Sequence, residues 1–476
     1  MSSADAAAGP PARHSVSPAR AAAFGVLCRL RRSGARLDDT ATSLPELSAL
    51  SAADRGLANE LVNGTVKRCA SLDAVLGSYT KAPLERADPD VVDALRLATF
   101  QVLFLDRVPA YAAVDDAVTL AAARVARSRG FVNAVLRRVA AEGRDKLAEL
   151  GAGDDDRAWA VRLSYPRWVV RLLRDELGDG RAARILEAAN GAPERCLRAN
   201  GLRGGQAAAA DVLAAEGYHT AGTAGLPDAL LYDGPPLERS RAFADGFVTP
   251  QSRGSQIAGV VAAGSVAAPG AHLLDVCAAP GAKTSQLAAL LPGARLTAVE
   301  VDEARAAGLR ANLARLGADT VDVVCEDALE LPASWDGTFD AVLLDAPCSG
   351  LGTLASRADL RWRRRAADVA RLAGVQSALL ARAAALVRPG GALIYAVCTV
   401  TRAETLDVVE PLLASGGWAA DDLGSVWPGL AHPKAGGFLL VLPPDMGSTG
   451  FFIARLRREA AADDGPHGRP GATPGG

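Results

Sequence analysis

The chain has 476 residues, of which 49% are hydrophobic and 22% are charged, and its formal net charge is −2 at pH 7. This length and composition predict a globular protein of two or three domains and exclude a mainly disordered chain. The near-neutral charge excludes a global basic field, so any contact with nucleic acid must come from a local patch.

Seven cysteines, at positions 28, 69, 196, 277, 325, 348 and 398, form no CxxC pair and accompany no His-rich segment. This spacing suggests neither a disulfide framework nor a zinc site, so no metal is expected. The N-terminal residues contain no apolar signal-peptide core, and no run of about 18 uninterrupted apolar residues occurs. We therefore expect a cytoplasmic protein with reduced thiols that does not enter a membrane.

The first part of the chain has helical patterns. Residues 1–17 and 459–476 lack an apolar period and are rich in small residues and proline, which predicts disordered tails. Residues 18–145 have helical periodicity throughout, with Ser51 placed to begin a helix. The ends of these helices carry candidates for phosphate contacts, namely Lys67, Arg68, Arg137 and Arg138. Solvated helix ends, stabilised by the helix dipole, are an equal alternative.

Residues 146–265 are predicted to form a helical linker followed by a small α/β subdomain. Within it, residues 196–200 and 230–232 have strand character and flank a helical pattern that begins at Gln206. Arg198 lies in the first of these two segments, where a structural salt bridge or cap is a possible role.

Residues 273–284 are the most informative stretch. An apolar run ends on Asp275, turns through a Pro-Gly loop and enters a helical pattern at Lys283. In an open α/β sheet such a loop lies at the carboxyl end of a strand, where ligands bind and the first helical N–H groups face the crevice. Gly281 lets the backbone approach a ligand closely. For the glycine alone, an ordinary strand-to-helix connection remains open.

Four further predicted strands end in polar or nucleophilic residues. The strand at residues 295–301 reaches Glu300, about 20 residues after the loop, where a nucleotide-binding fold presents an acid to ribose hydroxyls. The segments 321–327, 339–349 and 391–399 carry Asp327, Cys348 and Cys398 at their ends. Since the carboxyl ends of parallel strands meet at one edge, we expect these groups to lie together. For each cysteine alone, a small buried apolar residue is the usual alternative.

The motifs DVCAAPGAKT, DAPCSG and YAVCT, in that order, resemble those of the RNA cytosine-C5 methyltransferase family, whose members use S-adenosylmethionine. The segments DRGLANELVNGTVKR and GFVNAVLRRV resemble the NusB-type RNA-binding domain. Together they narrow the resemblance to the bacterial RsmB/Sun/Fmu-like branch that modifies 16S rRNA. The resemblance implies an all-α NusB-like bundle at residues 18–145, followed by an α/β Rossmann-like class I S-adenosylmethionine-dependent methyltransferase domain at residues 266–458.

The resemblance also implies roles for individual residues. Cys398 would be the nucleophile that adds to cytosine C6, Cys348 would assist breakdown of the covalent adduct, and Asp345 would hydrogen-bond or protonate N3 of the base. Thiol addition is required because C5 of cytosine is a poor nucleophile until charge enters the ring. The residues implied to bind the cofactor are Cys277, Ala278, Ala279, Pro280, Gly281, Ala282, Lys283, Glu300, Asp327 and Asp345.

A basic segment follows the Cys348 loop and contains Arg357, Arg361 and Arg363 with Trp362 interleaved. This composition suits phosphate contacts and base stacking, and a solvated charge run is the alternative. The resemblance also makes Arg198 a candidate for RNA contact, because it matches the family's Arg-x-Asn motif, and a structural salt bridge or cap is an equal alternative. The expected partner is 16S rRNA or its precursor, presenting a looped or flipped nucleotide. A monomer is expected.

The sequence departs from the family pattern at several positions. Ser252 and Arg253 stand where the family has an acidic pair, which makes Arg253 a further candidate for phosphate contact. Ala282 stands where this branch commonly has glycine, and alanine fits there without strain if its φ is negative. The other departures are Tyr165, Ala358 and Val397.

Two alternatives stay open: the same chemistry on tRNA, and a non-catalytic RNA-binding or antitermination-like protein. A DNA cytosine methyltransferase is disfavoured because its nucleophile is the Pro-Cys cysteine, and a dehydrogenase because GxGxxG is absent.

Overall fold

The computed structural model describes residues 15–34, 37, 47, 49–447 and 449–460. The two predicted tails fall outside this part, apart from residues 15–17, 459 and 460. The chain divides into two compact units. The first contains the residues up to Ala182 together with Arg357–Arg363, and the second contains Ala183–Ser356 and the residues from Arg364 on.

The regular elements described in the first unit are all helices, as the periodicity predicts. Ser51 caps the helix Ala52–Lys67 by accepting a hydrogen bond from the backbone N–H of Asp54, which confirms the predicted start. The apolar faces of the helices between Pro18 and Leu150 pack into one core. The main helices are Pro18–Ser33, Ala52–Lys67, Cys69–Ser78, Pro89–Phe104, Ala110–Arg124, Arg129–Leu150, Asp156–Leu163 and Arg167–Leu177.

The predicted domain boundary at residue 145 lies inside a helix. Helix Arg129–Leu150 passes through it without a break, and its end still packs on the bundle core through Leu147. Helix Asp156–Leu163 also belongs to the first unit, since the Ser71 hydroxyl donates to the carbonyl of Val161 at 2.6 Å. The first unit therefore extends well into the predicted linker.

Seven residues from much later in the chain, Arg357–Arg363, complete the first unit. Ala358 is fully buried in the bundle core, where a small side chain fits. The indole N–H of Trp362 donates to the carbonyl of Val66 at 2.7 Å. Part of the segment predicted to face RNA or solvent is thus a structural part of the bundle.

The second unit begins with a small antiparallel sheet of four strands, β1 (Cys196–Ala199), β2 (His219–Thr223), β3 (Leu226–Asp233) and β4 (Val248–Pro250). Their spatial order is β2-β3-β1-β4. The helix Gly205–Ala215 packs against the sheet and buries Ala209 and Leu213. Strand β3 is longer than the strand predicted at residues 230–232, because it forms a hairpin with β2.

The larger sheet consists of β5 (His272–Val276), β6 (Arg295–Glu300), β7 (Asp322–Cys325), β8 (Phe339–Asp345), β9 (Val387–Val397), β10 (Trp418–Ala420), β11 (Ala431–His432), β12 (Ala435–Val441) and β13 (Phe451–Arg458). Their spatial order is β11-β12-β13-β9-β8-β5-β6-β7, with β10 beside β13. Strands β5 to β9 are parallel, as expected for the predicted α/β domain, and β13 runs antiparallel to β9. The main helices are Arg253–Ala263, Ala282–Leu290, Glu303–Leu316, Ala366–Leu386 and Leu406–Ala414.

The sequence Pro389-Gly390-Gly391, which is typical of a turn, lies within β9. Gly390 adopts a φ of 74°, and the pairing of β8 with β9 shifts register between Phe339 and Ala341. Glycine allows this left-handed step without ending the strand. Strands β10 and β11 were not predicted, because each is only two or three residues long.

By length and composition alone, one helix in the described chain, Ala366–Leu386, is long and apolar enough to cross a membrane. Asp368, Arg371 and Arg382 interrupt its apolar sequence. Residues such as Leu372 are buried in the second unit, as in a helix that covers one face of a sheet.

Candidate active site

The loop that follows β5 is shaped by two left-handed residues. Cys277 has a φ of 61° and Gly281 a φ of 96°. A Cβ atom at Gly281 would lie 2.6 Å from the Cδ1 atom of Leu309, so both the backbone conformation and the packing require glycine there. Ala282 begins the next helix and is not among the left-handed residues, which confirms that alanine is tolerated.

The buried carboxyl group of Asp275 anchors this loop to the strand that precedes it. The Thr284 hydroxyl donates to Oδ2 of Asp275 at 2.6 Å, joining the end of β5 to the first turn of the helix. Burial raises the pKa of Asp275 to about 7. Its Oδ1 atom accepts no hydrogen bond from the described residues. Asp275 therefore supports the loop and titrates near neutrality.

Arg198 supports the same loop from the small sheet. Its side chain is fully buried, and its guanidinium donates to Ser285 Oγ at 2.7 Å and to Gln251 Oε1 at 2.8 Å. Burial lowers its pKa to about 10. The suggested RNA contact for Arg198 is corrected: no surface of this side chain is exposed, and its role is structural.

The acid at the end of β6 has a free acceptor. Glu300 is 1% exposed, and its Oε1 atom accepts from Arg305 Nη1 at 3.1 Å. Its Oε2 atom is buried and accepts no hydrogen bond from the described residues. A pair of ribose hydroxyls would satisfy that oxygen. Asp327, after β7, is exposed and accepts from the backbone N–H of Leu329 at 2.9 Å.

These features fit S-adenosylmethionine. Helix Glu303–Leu316 stabilises the loop carbonyls, since Asn312 donates to the carbonyl of Pro280 at 2.7 Å and Arg305 to that of Ala279 at 3.2 Å. The loop would then surround the methionine part, while the free oxygen of Glu300 would accept from the ribose.

The two cysteines meet at the neighbouring strand ends. Strands β8 and β9 pair in parallel with Asp345 opposite Ala396, so the residues just beyond them are adjacent. The Sγ atoms of Cys348 and Cys398 lie 3.3 Å apart. The hydrogen bond with Cys398, followed by burial, raises the pKa of Cys348 well above that of an ordinary thiol. Cys348 is therefore a neutral thiol at pH 7.

Lys283 links the cofactor loop to the same strand end. Its Nζ atom lies 2.6 Å from Oδ2 of Asp345 and 5.2 Å from the ring centroid of Phe451. The Lys283 side chain is 9% exposed and that of Asp345 is 31% exposed. Lys283 is therefore largely buried and is not a surface lysine, and its ion pair joins the cofactor loop to the end of β8.

Glu404 is a residue of the site that the sequence analysis missed. It is fully buried in the turn after Cys398 and accepts hydrogen bonds from Ser349, which follows Cys348, and from Thr399. The available signal was the spacing Thr401-x-x-Glu404, which is the pattern of a capping box. The Thr401 hydroxyl does donate to Glu404, at 3.0 Å.

The departures from the family pattern have structural partners. Arg253 forms an ion pair with Glu194 and is largely buried, so the suggested phosphate contact is corrected. Ser252 caps the helix Arg253–Ala263 by accepting from the N–H of Ser255. Val397 is fully buried in β9, where it pairs with Phe452 of β13.

The candidate RNA-binding residues of the first unit fall into two groups. Arg361 is fully buried: its guanidinium donates to the carbonyls of Lys67 and Ser164 and stacks 4.1 Å from the ring of Tyr165. Lys67 is only 7% exposed. RNA contact by Arg361 is therefore corrected to a structural role, and Tyr165 has a packing role. For Lys67 the phosphate contact stays a prediction.

The remaining candidates reach the surface. Arg68 is half-buried over the ring of Phe104, and Arg138 stacks 4.5 Å from that of Tyr79. The exposed candidates are Arg137, Arg138, Arg357 and Arg363. These four arginines are available for phosphate contacts.

A thiol and two carboxylates also meet in the first unit. The ligand atoms of Cys28, Asp90 and Asp93 lie within 4.8 Å of one another. Arg31 forms ion pairs with both carboxylates, so arginine already compensates their charge.

Comparisons with known proteins agree with this architecture. The family model described as 16S rRNA methyltransferase RsmB/F matches residues 267–457. The NusB family model matches residues 17–141, and the ferredoxin-like domain model of RsmF/B-like methyltransferases matches residues 165–236.

Ribosomal RNA small subunit methyltransferase B of Pseudomonas syringae pv. tomato is 33% identical over 434 residues, which cover 90% of this chain and 94% of that protein. Probable ribosomal RNA small subunit methyltransferase B of Bacillus subtilis is 30% identical over 443 residues, covering 92% and 98%. The crystal structure of PH0851 superposes with a TM-score of 0.78 at 23% identity, covering 94% of this chain and all of that one, and supports the fold. The chain therefore belongs to the RsmB/F family of S-adenosylmethionine-dependent 16S rRNA methyltransferases and carries a NusB domain ahead of its catalytic domain.

Proposed function

We propose that this chain methylates C5 of a cytosine in 16S rRNA through a covalent adduct between Cys398 and C6 of the base. The observation that carries the proposal is the 3.3 Å separation of the Cys348 and Cys398 thiols at the ends of two adjacent strands. Two thiols in contact suit a reaction in which one sulfur bonds to the base and must later be released. The family membership supports the choice of 16S rRNA.

In this proposal the thiolate of Cys398 attacks C6, and the electron pair of the C5–C6 double bond moves into the ring. Asp345, at the end of β8, donates a hydrogen bond or a proton to N3 from its carboxyl O–H group, because N3 carries no proton of its own and gains negative charge. Lys283 holds the Asp345 side chain in position, with its Nζ atom 2.6 Å from Oδ2. S-adenosylmethionine supplies a sulfonium-bound methyl group for in-line attack by C5.

Release requires that the C5 proton passes to water, that the C5–H electron pair restores the C5–C6 double bond, and that the C6–S electron pair returns to Cys398. The neutral thiol of Cys348 suits this step, because its S–H group can donate a hydrogen bond to the departing sulfur. Its raised pKa keeps that proton in place at neutral pH. Cys348 would thus assist release without itself bonding to the base.

The test measures transfer of labelled methyl from S-adenosylmethionine to unmodified 16S rRNA, with bisulfite mapping of the product. We expect one methylated cytosine with the wild type and none with Cys398→Ser. Cys348→Ala should form the RNA adduct but release it slowly, so that a protein–RNA complex survives denaturing electrophoresis.

Each other outcome has a defined meaning. An adduct that requires Cys348 but not Cys398 would contradict the assignment and favour a DNA-type mechanism. Transfer to total tRNA, and not to 16S rRNA, would keep the chemistry and change the substrate. No transfer to either RNA would favour the non-catalytic RNA-binding alternative. The proposed reaction would take place in the cytoplasm.

A further inference from the structure

A fully buried carboxylate lies behind the two thiols. Glu404 belongs to the short helix Arg402–Glu404 that follows Cys398, and its side chain is 0% exposed. Among the described residues, no lysine, arginine or histidine forms an ion pair with it. A buried charge without a cation is costly unless several hydrogen-bond donors compensate it.

The donors to Glu404 come from both cysteine loops. Ser349, next to Cys348, donates from its backbone N–H to Oε1 at 2.7 Å and from its hydroxyl to Oε2 at 2.5 Å. Thr399, next to Cys398, donates to Oε2 at 3.1 Å. The hydroxyls of Ser349 and Thr399 are themselves 2.9 Å apart. One carboxylate thus bonds to the residue after each cysteine.

Further contacts fix the carboxylate and the first loop. Gln376 donates to Glu404 Oε1 at 3.1 Å and to the carbonyl of Pro347 at 2.9 Å. Arg364 donates to the carbonyls of Cys348 and Ser349 at 3.1 and 3.0 Å. The Cys348 loop is therefore held on its N–H side by Glu404 and on its carbonyl side by Arg364.

We infer that Glu404 is a positioning residue that holds the Cys348 and Cys398 thiols in contact. The expected effect on catalysis rests on the proposed function. The contact between the two thiols does not, because it can be measured without any methyl transfer. A displacement of about 1 Å in reacting groups can reduce a rate about 100-fold, so loss of this link should affect catalysis strongly.

The variant Glu404→Gln tests the inference at nearly constant volume. Its amide NH₂ group cannot accept from Ser349 or Thr399, so one side of the link is lost. The matched control is Glu410→Gln, which changes an exposed glutamate on the following helix, Leu406–Ala414. If Glu404→Gln does not fold, the double variant Ser349→Ala with Thr399→Val removes two hydroxyl donors and leaves the carboxylate.

The first readout is oxidation by diamide, which removes one hydrogen from each thiol and leaves a Cys348–Cys398 disulfide that peptide mass spectrometry detects. We expect rapid formation in the wild type and the control, and at least tenfold slower formation in Glu404→Gln. The second readout is turnover per folded molecule, expected to fall about 100-fold with an unchanged KM for S-adenosylmethionine and accumulation of the RNA adduct.

The outcomes separate the two proposals. Slower disulfide formation in Glu404→Gln, in a chain whose wild type methylates no RNA, would support the positioning role and contradict the proposed function. Wild-type rates of disulfide formation and of turnover in Glu404→Gln would overturn the positioning role. A lower melting temperature with unchanged rates per folded molecule would also overturn it, because that result is the signature of a purely structural residue.

Discussion

The buried carboxyl group of Asp275 couples the stability of the cofactor loop to pH. Burial raises its pKa from 3.8 to about 7, so the folded chain binds the proton more tightly than the unfolded chain does. The resulting stability is fully present below the unfolded pKa and is lost as the pH rises through 7. The protonated carboxyl group, and not the carboxylate, is the form that the fold favours.

The variant Asp275→Asn should remove this pH dependence. The amide oxygen can still accept from Thr284, so the loop keeps its anchor. Between pH 5.5 and 8.5 the wild type should lose about 2 kcal/mol more unfolding free energy than the variant. Urea unfolding of both proteins at the two pH values measures the difference, and parallel pH profiles would contradict the expectation.

At the scale of elements, the short helix Leu360–Arg363 carries two arginines with opposite surroundings. Arg361 is buried and donates to two backbone carbonyls, whereas the Arg363 side chain is 42% exposed and pairs with Asp359 at 3.1 Å. Residues that are two apart on a helix face different sides. This short helix therefore places Arg361 in the bundle and Arg363 in solvent.

We expect Arg361→Met to destabilise the first unit by about 2–3 kcal/mol, because it leaves two buried carbonyls without a donor. Arg363→Met should cost less than about 1 kcal/mol, since it breaks an exposed ion pair. Circular dichroism melts measure both effects. A larger stability loss in Arg363→Met than in Arg361→Met would show that Arg363, and not Arg361, is the structural arginine.

RNA binding gives a second comparison of the two arginines. If Arg363 contacts a phosphate, Arg363→Met alone should lower the slope of log K for RNA binding against log salt concentration by about one.

The elements that could be predicted are those with a repeating pattern. Apolar runs separated by helical periods predicted β5 to β9, and the carboxyl ends of parallel strands then had to bring Cys348 and Cys398 together. Arg198 and Arg361 were not predictable as buried groups, because only tertiary contacts show that their charges point inward. Glu404 was missed for the same reason: its donors are up to 55 residues away in sequence.

At the scale of the whole molecule, the first unit is not continuous in sequence. Its core includes Ala358, and its helix Ala52–Lys67 has carbonyls bonded by Arg361 and Trp362. A fragment that ends at residue 182 retains the long helices but lacks these contacts. Order in the N-terminal bundle therefore depends on a segment encoded in the catalytic half of the chain.

Such a fragment should be less stable than the same unit in the full chain. Loss of three hydrogen bonds, at about 1 kcal/mol each, predicts roughly 100-fold faster hydrogen exchange in helix Ala52–Lys67. Exchange measured by mass spectrometry on both proteins tests this. Equal protection would show that Arg357–Arg363 adds nothing to the bundle's stability.

The same discontinuity has a consequence during synthesis. Domains usually fold in order as they leave the ribosome, at roughly 5–20 residues per second. Here the bundle cannot acquire its last core residues until about 180 further residues have been made, a delay of roughly 10–40 s at that speed. For that interval the nascent bundle exposes the surface that will later receive Ala358 and Trp362, and chaperones that bind apolar surface have time to act on it.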